Sequence, residues 1–155
     1  MATTSKVLDF SLLLKDAPYS PSRSSTRGAF SILNDLIFDG KVKPFQKINY
    51  IETTKHHWGS CLGNTSKTGI RFCNLTIMQI FPSFIIFITV LAHEMVHNYQ
   101  WVEFGIADHN KTFKDWKEKF ESVHLKLEDT IGDDWIIYTR RKKKNVGRTL
   151  SKAAI

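Results

Sequence analysis

Two histidines and a glutamate stand close together in the 155-residue chain, in the run His93-Glu94-Met95-Val96-His97. On an α-helix, residues four apart lie on one face, so the imidazoles of His93 and His97 could bind the same ion. Zinc accepts neutral imidazole nitrogen and lowers the pKa of a bound water to about 7. Glu94 lies beside this pair, where its carboxylate could take the proton of that water. The His-Glu-x-x-His spacing is typical of zinc metalloproteases.

A hydrolytic zinc site usually has three protein ligands and one open position, so a third ligand is needed. His109 is favoured, because it follows the predicted helix end at Gly105 in a turn that can fold back beside the first two ligands. Another interpretation is that His109 caps the next helix, a role that Asp108 or Asn110 could fill instead. The full set of candidates is an acidic residue or one of His56, His57, His109 and His124.

The helix that carries the motif is predicted to open at Pro82 or Ser83 and to end at Gly105. Hydrophobic periodicity and turn residues define the other elements. Helices are predicted over residues 25–38 and 110–127, and strands over residues 45–53, 58–62, 70–75 and 135–139, with a hairpin joining 58–62 to 70–75. This order predicts an α+β fold with helices packed on a small three-stranded antiparallel sheet.

Positive charge is concentrated at one end of the sequence. The seven cations from Arg140 onward equal the whole formal charge of +7, so residues 1–139 are neutral overall. A run of cations binds phosphate backbones without sequence preference, which predicts a weak nucleic-acid site. The run could equally contact an acidic membrane surface or simply increase solubility. The consecutive cations are Arg140, Arg141, Lys142, Lys143 and Lys144.

The composition, 42% hydrophobic and 24% charged, is typical of one globular domain and argues against disordered or fibrous classes. We predict a lead-in over residues 1–22, a folded domain over 23–139 and a basic tail over 140–155. The most apolar stretch is too short and too interrupted to cross a membrane, and no secretory signal is visible. We therefore expect a cytoplasmic monomer without membrane contact. Cys61 and Cys73 are too few for a disulfide framework and are expected to stay free thiols.

The motif and its surroundings resemble the SprT-like metallopeptidases, which include bacterial SprT proteins and the Spartan proteases that degrade DNA-bound protein crosslinks. The resemblance implies a small zincin-like α+β domain with one zinc ion. It also implies His93, His97 and His109 as ligands, with Glu94 as the general base. The matching segments, spread over roughly residues 25–125, are 93–97, Phe104-Gly105, His109, the helix with Phe113 and Trp116, Leu33–Gly40, Trp58–Cys61 and Ile70–Leu75.

We therefore expect a zinc-dependent endopeptidase that acts on a protein or peptide, with DNA-associated proteins as candidate substrates. The substrate would lie along an exposed strand edge, for which the hairpin at Trp58 is a candidate. Tyr99, His56 and His57 are the candidates for stabilising the oxyanion. Two other functions remain open: a DNA-binding adaptor whose zinc site is structural, and a zinc hydrolase that cleaves a non-peptide bond.

Overall fold

A computed structural model of the protein describes residues 17–52 and 58–129. The α+β class is confirmed. Within these ranges, the helices are α1 (Arg23–Ile37), α2 (Phe84–Phe104), α3 (Lys111–Lys114) and α4 (Lys117–Ser122), and the strands are β1 (Lys47–Ile51), β2 (Gly59–Thr65) and β3 (Arg71–Met78). His56, His57, the predicted strand over 135–139 and the basic tail lie outside the described residues.

The strands form one mixed sheet in the order β1-β3-β2, so the prediction of an all-antiparallel sheet is wrong. β2 and β3 are the expected antiparallel hairpin, with Gly63 opposite Cys73. β1 runs parallel to β3, with Ile48 opposite Leu75. The difference arises because β1 does not pair with β2, the next strand along the chain. The hairpin places β3 between them, and its turn does not determine which side of the hairpin β1 joins.

α2 is the central helix of the hydrophobic core. It begins and ends where predicted. The Ser83 hydroxyl caps its start by accepting a hydrogen bond from the backbone N–H of Ile86, and Gly105 ends it in a left-handed conformation with φ 69°. Most residues from Phe84 to Gln100 are buried, because the sheet covers one side of α2 while α1 and α3 contact others. No helix of the described part of the chain is long and apolar enough to span a bilayer.

Two glycines of β2 let α2 lie close against the sheet. A Cβ placed on Gly59 would be 2.9 Å from a methyl group of Val90. A Cβ placed on Gly63 would be 2.5 Å from the ring of Trp101. Because the two contacts follow the same chain order on both elements, α2 runs along β2 in the same direction. The residues between Val90 and Trp101, which include the His-Glu-x-x-His motif, therefore lie beside β2.

The prediction of one helix over residues 110–127 is wrong. The chain forms two short helices, α3 and α4, separated by a turn at residues 115 and 116. At this turn the backbone N–H of Trp116 bonds to the carbonyl of Phe113, three residues back rather than four. The predicted apolar stripe is nevertheless buried, at 1% exposure for Phe113, 9% for Trp116 and 0% for Phe120.

The chain also leaves the helix earlier than predicted, after Ser122. His124 adopts a positive φ of 62°, which no helix residue has. Beyond it Leu125 and Leu127 are buried while Lys126 between them is exposed. This alternation is the period of an extended segment, so burying both leucines requires that the helix end first.

Candidate metal centre

The imidazoles of His93, His97 and His109 meet on one side of α2. Their Nε2 atoms form a triangle whose sides are 3.1 Å between His93 and His97, 3.2 Å between His97 and His109, and 3.3 Å between His93 and His109. His93 is buried, and the other two rings are half-buried. The group could hold a metal ion, since each ring offers one nitrogen toward the others.

Two elements position the three rings. α2 carries His93 and His97 four residues apart, on one face of the helix. The left-handed turn at Gly105 then reverses the chain, and residues 106–110 bring His109 back to the pair. The carboxylate of Asp108 accepts a hydrogen bond from the backbone N–H of Asn110 at 3.1 Å, which closes this loop just before α3.

The three short contacts between the Nε2 atoms cannot all be hydrogen bonds. Nδ1 of His97 lies 2.9 Å from Oε1 of Gln100, so Nδ1 is the donor and Nε2 of a neutral ring carries no proton. Both contacts of that Nε2 could be hydrogen bonds only if His93 and His109 each carried a proton on Nε2. Those two donors would then face each other at 3.3 Å. A cation among the three nitrogens removes this conflict.

Burial also favours the neutral form that metals bind for the rings of His93 and His97. Burial, with smaller contributions from His97 and His109, lowers the pKa of His93 to about 3. Burial likewise lowers the pKa of His97, although its hydrogen bond to Gln100 acts in the opposite direction. Near neutral pH both rings are therefore neutral, and each has one ring nitrogen without a proton.

Phe113 supports the three imidazoles from α3. Its ring centroid lies 4.9 Å from that of His93, 5.1 Å from that of His97 and 4.7 Å from that of His109. The ring of His97 stacks on Phe113 with an angle of 25° between the planes, and the ring of His109 meets it edge-on at 89°. One apolar side chain therefore restricts the orientation of all three rings.

Glu94 lies between α2 and β2, only 6% exposed. Its side chain runs past Gly59, where a Cβ would be 3.4 Å from Cγ of Glu94. Burial raises the pKa of Glu94 to about 8, while a hydrogen bond from the backbone N–H of Cys61 acts to lower it. A carboxyl group with a pKa near neutrality can both take up and release a proton under physiological conditions.

Among the described residues β2 is an edge strand, and Glu94 lies at its free side. The carbonyl of Trp58 accepts a hydrogen bond from Met78, so the even-numbered residues of β2 pair with β3. The odd-numbered residues, Gly59, Cys61 and Gly63, turn their backbone N–H and C=O groups away from β3. The N–H of Cys61 is the group that bonds to Glu94.

The other residues singled out by the sequence lie elsewhere. His124, a candidate for the third ligand, is exposed and outside the histidine group. The ring of Tyr99, a candidate for the oxyanion, packs against Trp116 at 5.1 Å and against Phe104 at 6.1 Å. Cys61 and Cys73 are free thiols, as expected, and Cys73 is buried.

The sequence does not reveal three participants in this site: Gln100, the ring of Phe113 as a support, and Glu128, whose backbone accepts a hydrogen bond from His93. Phe113 is visible in the sequence only as part of an apolar stripe. A buried glutamine three residues after a histidine has no signature of its own, although its place on the ligand face of α2 follows from helix geometry.

A family model described as the SprT-like family matches residues 26–133, well over half of the chain. The match includes the three histidines, Glu94 and the loop after Gly105, and it confirms the resemblance that those residues indicate. Neither the curated proteins nor the solved structures gave a match to this chain.

Proposed function

Because the chain belongs to the SprT-like family, we propose that it is a zinc-dependent endopeptidase. The observation that carries this proposal is the convergence of three Nε2 atoms, two of them from the helix that also carries the buried carboxyl group of Glu94. A purely structural role for these groups is a poor alternative, since buried polar groups without partners are costly and the triangle cannot satisfy all its contacts with hydrogen bonds.

Zinc fits the donor set and its spacing. In a tetrahedral site with Zn–N bonds of about 2.0–2.1 Å, two ligand nitrogens lie about 3.3–3.4 Å apart. The triangle, with sides of 3.1–3.3 Å, is close to this size. His93, His97 and His109 would hold the ion and leave a fourth position open. When bound, the ion supplies a Lewis acid that polarises the scissile carbonyl and makes water easier to deprotonate.

Glu94 would act as the general base. Its carboxylate would take the proton of the attacking water and then pass it to the nitrogen of the leaving amine, so that one residue serves both halves of the reaction. The raised pKa of Glu94, about 8, supports a role in which the group is alternately charged and neutral. The hydrogen bond from the N–H of Cys61 keeps the carboxyl group at the edge of β2.

The proposed substrate site is the outer edge of β2, which no other described strand covers. An extended peptide can pair with the outward N–H and C=O groups of an edge strand, which gives affinity independent of side chains. Gly59 and Gly63 offer such groups on either side of Cys61, whose N–H lies at Glu94. The main chain of a peptide paired there would lie next to the carboxyl group of Glu94, as cleavage of a peptide bond requires.

The decisive experiment is the substitution Glu94→Gln, which keeps the shape of the side chain and removes the base. We expect the zinc content to equal that of the wild type, with cleavage of a denatured protein lowered by about 10²–10⁴-fold. Glu103→Gln is the matched control, because Glu103 is an exposed residue of the same helix. Unchanged cleavage by Glu94→Gln would contradict the assignment.

The same experiment separates the two alternative functions. A DNA-binding adaptor with a structural zinc site would retain zinc but show no cleavage that a chelator abolishes, even in the wild type. A hydrolase for non-peptide bonds would cleave an ester substrate with the same dependence on Glu94 while leaving proteins intact. Either outcome would be consistent with the metal site but would contradict the peptidase assignment.

We also propose that the cations from Arg140 to Lys144, which lie outside the described residues, recruit DNA and so bring DNA-associated proteins to the site. The charge distribution of the sequence supports this. Truncation after Thr139 should weaken binding to single-stranded DNA most strongly at low salt, because phosphate contacts release counterions. Equal DNA binding by the truncated chain would contradict the proposal, whereas cleavage of a DNA-free substrate should survive the truncation.

A further inference from the structure

Gln100 is a buried polar residue of α2, three residues after His97 and 0% exposed. A buried amide group is costly unless both of its ends have partners. Both ends of Gln100 do have partners, and these lie on different parts of the chain.

The partners determine how the amide is oriented. Its nitrogen donates a hydrogen bond to the hydroxyl of Thr112 at 2.9 Å and lies 3.4 Å from a carboxylate oxygen of Asp108. A hydroxyl and a carboxylate together favour the NH₂ end over the oxygen. The oxygen of Gln100 is therefore turned toward Nδ1 of His97, 2.9 Å away.

This orientation decides where the proton of His97 resides. An amide oxygen can only accept, so Nδ1 of His97 must be the protonated nitrogen in the neutral ring. Nε2 is then left with its lone pair directed at the other two histidines, which is the form that binds a metal ion. Without a partner at Nδ1, the ring could place its proton on Nε2 and close that position to a cation.

The same amide connects the two elements that supply the histidines. Asp108 and Thr112 flank His109, one residue before it and three after it, while Gln100 belongs to the helix of His93 and His97. We propose that Gln100 is a positioning residue, which sets the tautomer of His97 and ties α2 to the loop that carries His109. The proposal rests on the proposed function only in that it takes the three histidines to be metal ligands.

Three variants test the proposal. Gln100→Met keeps the size of the side chain and removes the hydrogen bonds to His97, Asp108 and Thr112. Gln100→Glu keeps an acceptor for Nδ1 of His97. Thr112→Val is the matched control, since it removes a partner of the amide nitrogen but leaves the amide oxygen in place.

The first readout is the ring tautomer of His97 in the metal-free, full-length protein, from long-range ¹H–¹⁵N spectra of the imidazoles. The second is zinc affinity, measured by competition with a chromophoric chelator. Wild type, Gln100→Glu and Thr112→Val should carry the proton on Nδ1. Gln100→Met should lose this preference and bind zinc about 10–100-fold more weakly. Mutation of the hydrogen-bond partner of a metal-bound histidine typically lowers metal affinity by this amount.

A folded Gln100→Met variant with the wild-type tautomer and wild-type zinc affinity would overturn the proposal. If Gln100→Met does not unfold cooperatively, Gln100→Glu is the deciding variant. A proton on Nε2 of His97 in Gln100→Glu would also overturn the proposal. The tautomer is read without metal or substrate. Failure of the peptidase assignment, in which zinc binds but no protein is cleaved, would therefore leave this result unaffected.

Discussion

The ring of Trp101 occupies the space that a side chain at Gly63 would need, since a Cβ there would be 2.5 Å from Cδ2 of the indole. The indole N–H also donates a hydrogen bond to the backbone carbonyl of Asn64 at 3.0 Å. The end of α2 is thereby fixed to β2 by one contact that requires glycine and one polar contact to the neighbouring residue.

We predict that Gly63→Ala destabilises the protein by about 1–3 kcal/mol, because the added methyl group overpacks the contact with Trp101. Gly28→Ala is the matched control: Gly28 lies within α1, and nothing lies within 4 Å of a Cβ placed there. That substitution should stabilise the protein by about 0.5–1 kcal/mol, since alanine favours a helix. Denaturant unfolding measures both changes, and a neutral Gly63→Ala would show that the ring moves freely.

Phe113→Leu should weaken zinc binding, and the loss should be larger than in a variant that loses the same amount of folding stability elsewhere in the core. The substitution keeps an apolar side chain and costs about 1–1.5 kcal/mol of stability, but it removes the flat surface on which His97 stacks. Phe120→Leu is the control, since Phe120 is equally buried and packs on Phe38. If both variants bind zinc with the same affinity, Phe113 contributes only to the hydrophobic core and does not orient the histidine rings.

His109→Ala should lower zinc affinity by more than about 100-fold, because even partners outside the ligand set cost 10–100-fold. His124→Ala, on an exposed residue outside the group, should bind zinc like the wild type. Metal analysis after dialysis against a weak chelator distinguishes the two. The reverse ranking would mean that the loop after Gly105 does not supply the third ligand.

Zinc should stabilise the folded protein by mass action, by about 2.7 kcal/mol at a free concentration 100 times the dissociation constant. Removal of the metal with a chelator should reverse the gain. The substitution His97→Ala should abolish the stabilisation by zinc, since Nε2 of His97 lies 3.1 Å from Nε2 of His93 and 3.2 Å from Nε2 of His109. Thermal unfolding with and without zinc measures the effect, and equal stabilisation of wild type and His97→Ala would place the ion elsewhere.

The features that could be predicted from the sequence have local causes. Ser83 and Gly105 mark the ends of α2 by capping chemistry, and the spacing of His93 and His97 places both on one helical face. The hairpin of β2 and β3 follows from the polar turn between them. For these elements, neighbouring residues in the sequence are also neighbours in the structure.

The features that could not be predicted depend on contacts between distant segments. The parallel pairing of β1 with β3 is a choice between two edges of a hairpin, and nothing in residues 47–51 specifies it. The predicted last helix extends too far because the stripe through Phe113 and Phe120 has helical spacing. The alternation at Leu125 and Leu127 is a signal for extended chain that competes with the helical interpretation.

Among the described residues no strand pairs with the outer edge of β2, which has a consequence for self-association. The outward N–H and C=O groups of an edge strand can pair with the same strand of a second molecule, which makes such an edge a route to aggregation. Gly59 and Gly63 oppose this, because glycine in the interior of a strand weakens strand formation. The residues that let α2 approach the sheet thus also reduce the tendency of two copies to join edge to edge.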